Sequence, residues 1–140
     1  HDQIGWNDRL PNINAALGVS QMEVLKERLF LKRKLFNYYS KILSKVDGLE
    51  LMKKPINCES NHWLVSIRLT GEYTKEELKK LKDLILNMAH NNNLLLRPSW
   101  DLLNSLKIYN GAPSGDLKNA EDQSFRIINL PSSPQLLEHE

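Results

Sequence analysis

The sequence contains a single cysteine, Cys58, among its 140 residues. One cysteine can form neither an internal disulfide framework nor a Cys-rich zinc site, and it fits a reducing, cytoplasmic setting. Aromatic residues make up only 7% of the chain. Uninterrupted apolar runs are short as well, for example Leu94–Leu96. A membrane span needs roughly 18–20 apolar residues. We therefore predict no transmembrane helix and a cytoplasmic protein.

An excess of one charge is also lacking, because 19 Lys and Arg residues face 17 Asp and Glu residues. This small net charge argues against nucleic acid as the main partner. The chain has no glycine-rich phosphate loop, no GxSxG elbow and no metal-ligand spacing among its four histidines. Generic chemistry alone therefore indicates neither a catalytic residue nor a metal site in this chain.

The remaining composition, 41% hydrophobic and 26% charged, is typical of one ordinary globular domain. The first residue is His1 rather than methionine. The segment that follows reads as the middle of a longer protein, so we expect a fragment.

The first half of the chain is dominated by a helical pattern. From Asn12 to about Val46 the only breaker is Gly18, and Pro11 suits a first helical turn. Apolar residues recur every seven positions and predict one long amphipathic helix, or two helices in tandem, ended by Asp47-Gly48; they are Leu17, Val24, Leu31 and Tyr38. Five basic residues lie opposite, either as an anion-binding patch or as a solvated face; they are Lys26, Arg28, Lys32, Arg33 and Lys34.

The second half alternates between strand and helix patterns. Strands are predicted at residues 49–52, 62–70, 94–97 and 126–130, and in the second of them Trp63, Val65, Ile67 and Leu69 fall on one face. Thr74 and Glu77 form a capping box ahead of a helix that runs to about His90. Its predicted buried face consists of Leu78, Leu81, Leu84, Ile85 and Met88. Shorter helices are predicted at residues 102–106 and 117–125.

This order of elements predicts an α+β fold, in which a long N-terminal helix precedes a small, mainly antiparallel sheet with helices on one face. We divide the chain into residues 1–47, an irregular segment with a long connecting helix, and residues 48–140, a small α+β domain. The helix is too long for the sheet to cover, so we expect it to pack against something outside this chain.

Two polar clusters could bind a ligand. In the first, Asn7 and Arg9 precede a helix N-terminus, which offers free N–H groups to an anion. Its alternative is a capped helix start with a surface salt bridge. In the second, Arg97 and Trp100 follow a predicted strand and could hold a flat, anionic ligand. Its alternative is core packing of Trp100 with an ion pair at Arg97.

These clusters, in this order, resemble a known family. Residues 1–18, HDQIGWNDRLPNINAALG, look like the GxNxR(L/M)xxxxAAxG segment of the DegT/DnrJ/StrS sugar aminotransferases. Later segments strengthen the resemblance and point to the branch that acts on UDP-linked 4-keto-6-deoxy amino sugars; they are LRPSW (96–100), GDLKNAED (115–122) and INLPSSP (128–134).

The resemblance implies part of a pyridoxal phosphate (PLP) enzyme of fold type I, namely its C-terminal domain. The Schiff-base lysine of the family lies upstream of the motif that opens this chain, so the fragment alone should be inactive. Family members are homodimers, and by resemblance Asn7 reaches the PLP phosphate of the other subunit while Arg9 points at the nucleotide sugar. Arg97 and Trp100 fall in the substrate-binding loop. Asp8 departs from the often aromatic family residue.

The full-length enzyme would move an amino group, with glutamate as the expected donor, to the 4-keto group of a UDP-sugar. An alternative from another class stays open. The long amphipathic helix could instead serve a non-catalytic interaction or regulatory module.

Overall fold

The computed structural model describes Gly5 and residues 10–137. Within these residues the chain forms four α-helices and one four-stranded sheet. The helices are α1 (Asn12–Glu23), α2 (Leu25–Leu43), α3 (Lys75–Asn91) and α4 (Lys118–Arg126), and the strands are β1 (Leu49–Leu51), β2 (Val65–Leu69), β3 (Arg97–Pro98) and β4 (Ile127–Leu130). Short 3₁₀ turns lie at Leu103–Ser105, Lys107–Tyr109 and Pro134–Leu137.

The sheet is antiparallel throughout, in the order β1-β2-β4-β3. Side chains alternate between its two faces, so Ile67 and its partner Ile128 share one face while Ser66 and its partner Asn129 share the other. The core lies on the Ile67 face, where Leu43, Leu78 and Phe125 pack from α2, α3 and α4. The predicted α+β fold, with helices on one face of the sheet, is confirmed.

The opposite face of the sheet is polar. Arg68 donates to the Glu50 carboxylate at 3.0 Å across the β1–β2 pair. Ser66 donates to Asn129 Oδ1 at 2.7 Å, and the Asn129 amide donates to Pro98 O at 3.1 Å. Asn129 is buried, and these bonds satisfy both polar atoms of its side chain.

The long helical segment is two helices in tandem, which was one of the two predicted forms. The break lies at Val24, and Gly18 lies inside α1. Helix α2 ends at Leu43, so the prediction that Asp47-Gly48 ends it is wrong. Gly48 instead takes a positive φ of 81° in the turn before β1, a conformation that favours glycine.

The side chains that face the core from these helices differ from the predicted seven-residue row. Leu35 is buried and its neighbours at a four-residue spacing, Leu31, Tyr39 and Leu43, are half-buried. Leu17 and Tyr38 from the predicted row are exposed. Helix α1, every residue of which is described, contains no buried side chain. Of the two tandem helices, only α2 packs on the sheet, and α1 lies beyond it. This agrees with the expectation that the small sheet cannot cover the whole helical segment.

Helix α3 begins as its sequence predicts. Glu77 N donates to Thr74 Oγ1, and Thr74 N donates to the Glu77 carboxylate, which completes the capping box. Its end is also confirmed near His90, because Asn93 takes a left-handed φ of 59° that asparagine tolerates. The predicted buried face is wrong at two positions, since Leu84 and Met88 are more than half exposed.

The strand predictions hold in number but differ in extent. Strand β2 begins at Val65 rather than at residue 62, and β3 contains only Arg97 and Pro98 instead of residues 94–97. Pro98 lies within β3, which is possible because β3 is an edge strand and pairs only with β4. Arg126, placed in the last strand by the sequence, is the final residue of α4.

Candidate functional site

The candidate site lies where the loop before β2 meets β3 and the loop after β4. A groove of about 400 Å³ opens there. Its lining includes Trp63, Arg97, Asn129 and Ser132, together with the side chain of Lys32 from α2. Sequence positions that are far apart are therefore brought to one edge of the sheet.

Arg97 and Trp100 are both exposed at this edge. Trp100 is 68% exposed, so the alternative in which it packs in the core is wrong. Arg97 forms no salt bridge with any residue in 10–137, which leaves the alternative of a structural ion pair without support there. Its guanidinium is placed on the edge strand with solvent access, as a contact with an anionic ligand requires.

Trp63 is the partner of Trp100. The two indole rings are stacked with centroids 5.8 Å apart and an interplanar angle of 25°. Trp63 is 63% exposed whereas Val65, Ile67 and Leu69 are buried, so Trp63 does not continue the face of β2 on which the sequence placed it. The physical reason is local, because the chain bends at Trp63 and Leu64 and the strand begins only at Val65.

The tryptophan pair separates two grooves. Trp63 lines the first groove with Arg97, whereas Trp100 lines a second groove of about 530 Å³ between α3, α4 and the loop after β3. Three lysines of α3 line this second groove, but three acidic residues line it as well, so its charge is balanced; they are Lys75, Lys79 and Lys82 against Asp83, Asp101 and Glu121. The first groove is therefore the better place for an anion.

Lys32 ties together the two loops that flank the first groove. Its ammonium donates to three carbonyl oxygens, at 3.3 Å to His62, 3.2 Å to Trp63 and 2.8 Å to Ser132. Burial lowers the pKa of Lys32. Of the two interpretations of the basic helix face, neither describes this residue, because its protons are committed to backbone oxygens rather than to solvent or a ligand.

Neighbouring contacts hold the loop after β4 in place. The Tyr39 hydroxyl donates to Pro131 O at 2.9 Å. Ser132 Oγ accepts from Val65 N and donates to Leu130 O, both at 2.8 Å. The loop is thus fixed to α2 and to β2, which explains how a short polar segment keeps one conformation beside the groove.

His62 lies at the base of the Trp63 loop. Its ring packs against Phe36 with centroids 4.5 Å apart and an interplanar angle of 33°. Burial, followed by the positive charges of Arg33 and Lys32, lowers the pKa of His62. This shift favours the neutral imidazole, so the ring supports the loop through its contact with Phe36.

Two lysines of the described residues, Lys32 and Lys82, lie where burial lowers the pKa. The Lys82 ammonium donates to Ser124 O at 2.9 Å and lies 5.7 Å from the centroid of the Phe125 ring. Both lysines are thus engaged by the fold itself, and neither environment fits the Schiff-base lysine of a PLP enzyme, which needs a free amine.

Asn7 and Arg9, the two other predicted site residues, lie outside the described residues. None of the described helices is both long enough and apolar enough to cross a membrane. The residues that sequence reasoning missed at this site are Trp63, Lys32 and Ser132. Their role depends on hydrogen bonds that Lys32 donates to segments 31 and 100 residues further along the sequence. No local sequence pattern signals such contacts.

Comparisons with known proteins identify relatives over the whole chain. The family model described as the DegT/DnrJ/EryC1/StrS aminotransferase family matches residues 1–140. EpsN of Bacillus subtilis, provisionally named a pyridoxal phosphate-dependent aminotransferase, is 32% identical over 146 residues, covering 100% of this chain and 35% of EpsN. GDP-perosamine synthase of Escherichia coli O157:H7 is 30% identical, covering 97% of this chain and 35% of that enzyme.

Solved structures show the same fold. PseC of Helicobacter pylori, an aminotransferase involved in the biosynthesis of pseudoaminic acid, superposes with a TM-score of 0.77 at 24% identity. The match covers 96% of this chain and 35% of PseC. The chain thus spans about a third of the length of the proteins it matches.

Proposed function

Because the chain belongs to the DegT/DnrJ/EryC1/StrS aminotransferase family, we propose that it is part of a PLP-dependent nucleotide-sugar aminotransferase. The proposed reaction moves an amino group from an amino acid, glutamate, to the 4-keto group of a UDP-linked deoxy amino sugar. The observation that carries the proposal is the family match over all 140 residues. The cytoplasmic location stays a prediction.

Within this proposal the chain holds ligands rather than carrying the reacting lysine. When bound, PLP supplies the electron sink for amino transfer. Asn7 would donate its amide N–H groups to the PLP phosphate across a homodimer, and Arg9 would contact the anionic part of the nucleotide sugar. Arg97 and Trp100 would bind substrate from the edge of the sheet. Both side chains are exposed, Arg97 beside the first groove and Trp100 beside the second, and this exposure supports that role.

The homodimer is supported by the surface of α1. Its apolar side chains Ile13 and Leu17, one turn apart, are more than half exposed, and so is Met22 on the other side of the helix. Exposed apolar side chains grouped in this way mark interfaces. We assign them to burial within the full-length dimer. Leu17→Glu should shift the full-length protein from dimer to monomer in sedimentation, whereas Asn12→Glu, at an exposed position on the side of α1 away from Leu17, should leave the dimer intact.

The same exposed apolar side chains of α1 are the specific observation that favours the alternative, a non-catalytic interaction module. The two functions differ in their dependence on PLP. Borohydride reduction of the full-length protein with PLP should add one phosphopyridoxyl group, at a lysine outside residues 1–140. A full-length protein that gains no such group would contradict the aminotransferase and favour the interaction module.

The proposed ligand roles have separate tests in the full-length enzyme. Asn7→Ala should weaken PLP retention, with Asn14→Ala as the matched control on an exposed position of α1. Arg9→Ala should mainly raise KM for the nucleotide sugar, with Arg33→Ala as control. If Asn7→Ala retains PLP, or Arg9→Ala affects only the half-reaction with the amino donor, the corresponding assignment is wrong.

A further inference from the structure

We propose that Trp63 is a further ligand-binding residue, which stacks the nucleobase of the nucleotide sugar on its indole face, and that Lys32 is the positioning residue that holds Trp63 in place. The inference rests on the proposed function, because it names how the same site recognises the nucleotide.

The indole rings of Trp63 and Trp100 form a stacked pair beside the groove. Trp100 stacks on Trp63 at 5.8 Å, while Trp63 lines the groove that Arg97 also lines. One face of the Trp63 ring is thus covered by Trp100, and Trp63, which is 63% exposed, lines the groove. An exposed indole face offers a stacking surface to any nucleobase.

Arg97 supplies a positive charge to the groove that Trp63 lines. Arg97 lines the same groove as Trp63 and forms no salt bridge with the described residues. A guanidinium beside an aromatic face suits a ligand with a flat ring joined to phosphates. The groove volume of about 400 Å³ lies within the range of small-molecule sites.

Hydrogen bonds from Lys32 hold the loop that carries Trp63. Trp63 does not belong to β2, which begins at Val65, so strand pairing does not hold it. The Lys32 ammonium donates to the carbonyl oxygens of both His62 and Trp63, and also to Ser132 O beyond β4. Removing the ammonium would leave all three oxygens without this donor and release the Trp63 loop from the loop after β4.

The experiment measures nucleotide binding by calorimetry in the full-length dimer, with UDP and GDP as probes. Trp63→Ala should weaken UDP binding by about tenfold, since stacking of a base on an aromatic ring contributes an effect of this order. Trp63→Phe should retain most of the affinity, and Trp63→Leu should not, although it keeps an apolar side chain. The comparison of UDP with GDP shows which base the site prefers.

Positioning by Lys32 has its own readout. Lys32→Met should diminish the exciton couplet of the stacked indoles in circular dichroism and raise KM for the nucleotide sugar with kcat unchanged. Lys26→Met, the same change at an exposed position of α2, should alter neither. A Lys32→Met variant that keeps the couplet and the KM would overturn the positioning role.

The outcomes separate this inference from the proposed function. If Trp63→Ala and Trp63→Leu bind UDP as tightly as the parent while Arg97→Ala binds it weakly, the Trp63 role is wrong and the proposed function stands. If the parent protein binds neither UDP nor GDP, the proposed UDP-sugar substrate itself is wrong. Urea unfolding of each variant shows whether a loss of binding reflects a loss of fold.

Discussion

Asp122 and Arg126, one turn apart in α4, form an ion pair in which Arg126 Nε lies 2.9 Å from both carboxylate oxygens. The same guanidinium donates through Nη1 to Leu69 O and Gly71 O, both at 3.1 Å. Arg126 is only 9% exposed. Arg126, held by Asp122, therefore connects the end of α4 to the end of β2.

The first prediction concerns this connection. Arg126→Met should lower the free energy of unfolding by about 2 kcal/mol, because two carbonyl oxygens lose their charged donor. Urea unfolding measures the change, and Arg33→Met, at an exposed position of α2, should change it by less than about 0.5 kcal/mol. Adding Asp122→Ala to Arg126→Met should cost little more, and a fully additive effect would contradict the coupling.

The second prediction tests which side chains of α3 form the core. Leu78 is 2% exposed and packs in the core cluster, whereas Leu84 is 55% exposed. Leu78→Ala should destabilise the fold by about 2–5 kcal/mol through lost burial and a cavity. Leu84→Ala on the same helix should cost well under half as much. Equal losses in the isolated chain would return Leu84 to the buried face that the sequence predicted.

The third prediction concerns Gly71, where the chain leaves β2. Its φ is +102°, and a Cβ atom there would lie 2.9 Å from Cε2 of Tyr73. Gly71→Ala should therefore lower the melting temperature, through both backbone strain and this contact. Gly115→Ala is the matched control, since a Cβ atom at that position would have no neighbour within 4 Å. Comparable melting temperatures for the two variants would refute the strain.

The fourth prediction is a pH dependence at the start of α3. Hydrogen bonds from the Thr74 backbone and side chain lower the pKa of Glu77 below its usual 4.5. A carboxylate with a depressed folded-state pKa stabilises the fold above pH 4.5, and this contribution is lost as the pH falls through the folded pKa. The difference in urea midpoint between the parent and Glu77→Gln should thus be larger at pH 7 than at pH 3. A constant difference would contradict it.

The Thr74 side of the same capping box gives a control for that experiment. Thr74→Ser keeps a hydroxyl that can accept from Glu77 N and should preserve the pH dependence. Thr74→Ala should destabilise α3 by about 1 kcal/mol and reduce the pH dependence, because Glu77 then loses one of its two hydrogen bonds from Thr74.

The sequence predicted the elements whose signals are local. The capping box of Thr74 and Glu77 and the alternation of Val65, Ile67 and Leu69 all appear as expected. These patterns succeed because the hydrogen bonds or burial they describe involve residues within a few positions of one another. Helix faces were less predictable, since Leu84 and Met88 fit the helical period but extend beyond the area that the small sheet covers.

The candidate site was only half visible in the sequence. Arg97 and Trp100 were recognisable as a cluster, whereas Trp63 was placed on one face of the predicted strand with Val65, Ile67 and Leu69. The chain bends at Trp63 and Leu64 before β2 begins, and neither tryptophan nor leucine is a residue that signals a turn. The role of Trp63 therefore needed the structure.

The sequence by itself determined the class of fold, the number of strands and the positions of the main helices, because these follow from hydrophobic period, capping and turn residues. Only the tertiary structure decided which side chains meet. The sheet order β1-β2-β4-β3 brings the segment before β2 beside the loop after β4, and Lys32 joins the two. Such contacts arise from packing between distant segments, which imposes no pattern on neighbouring residues.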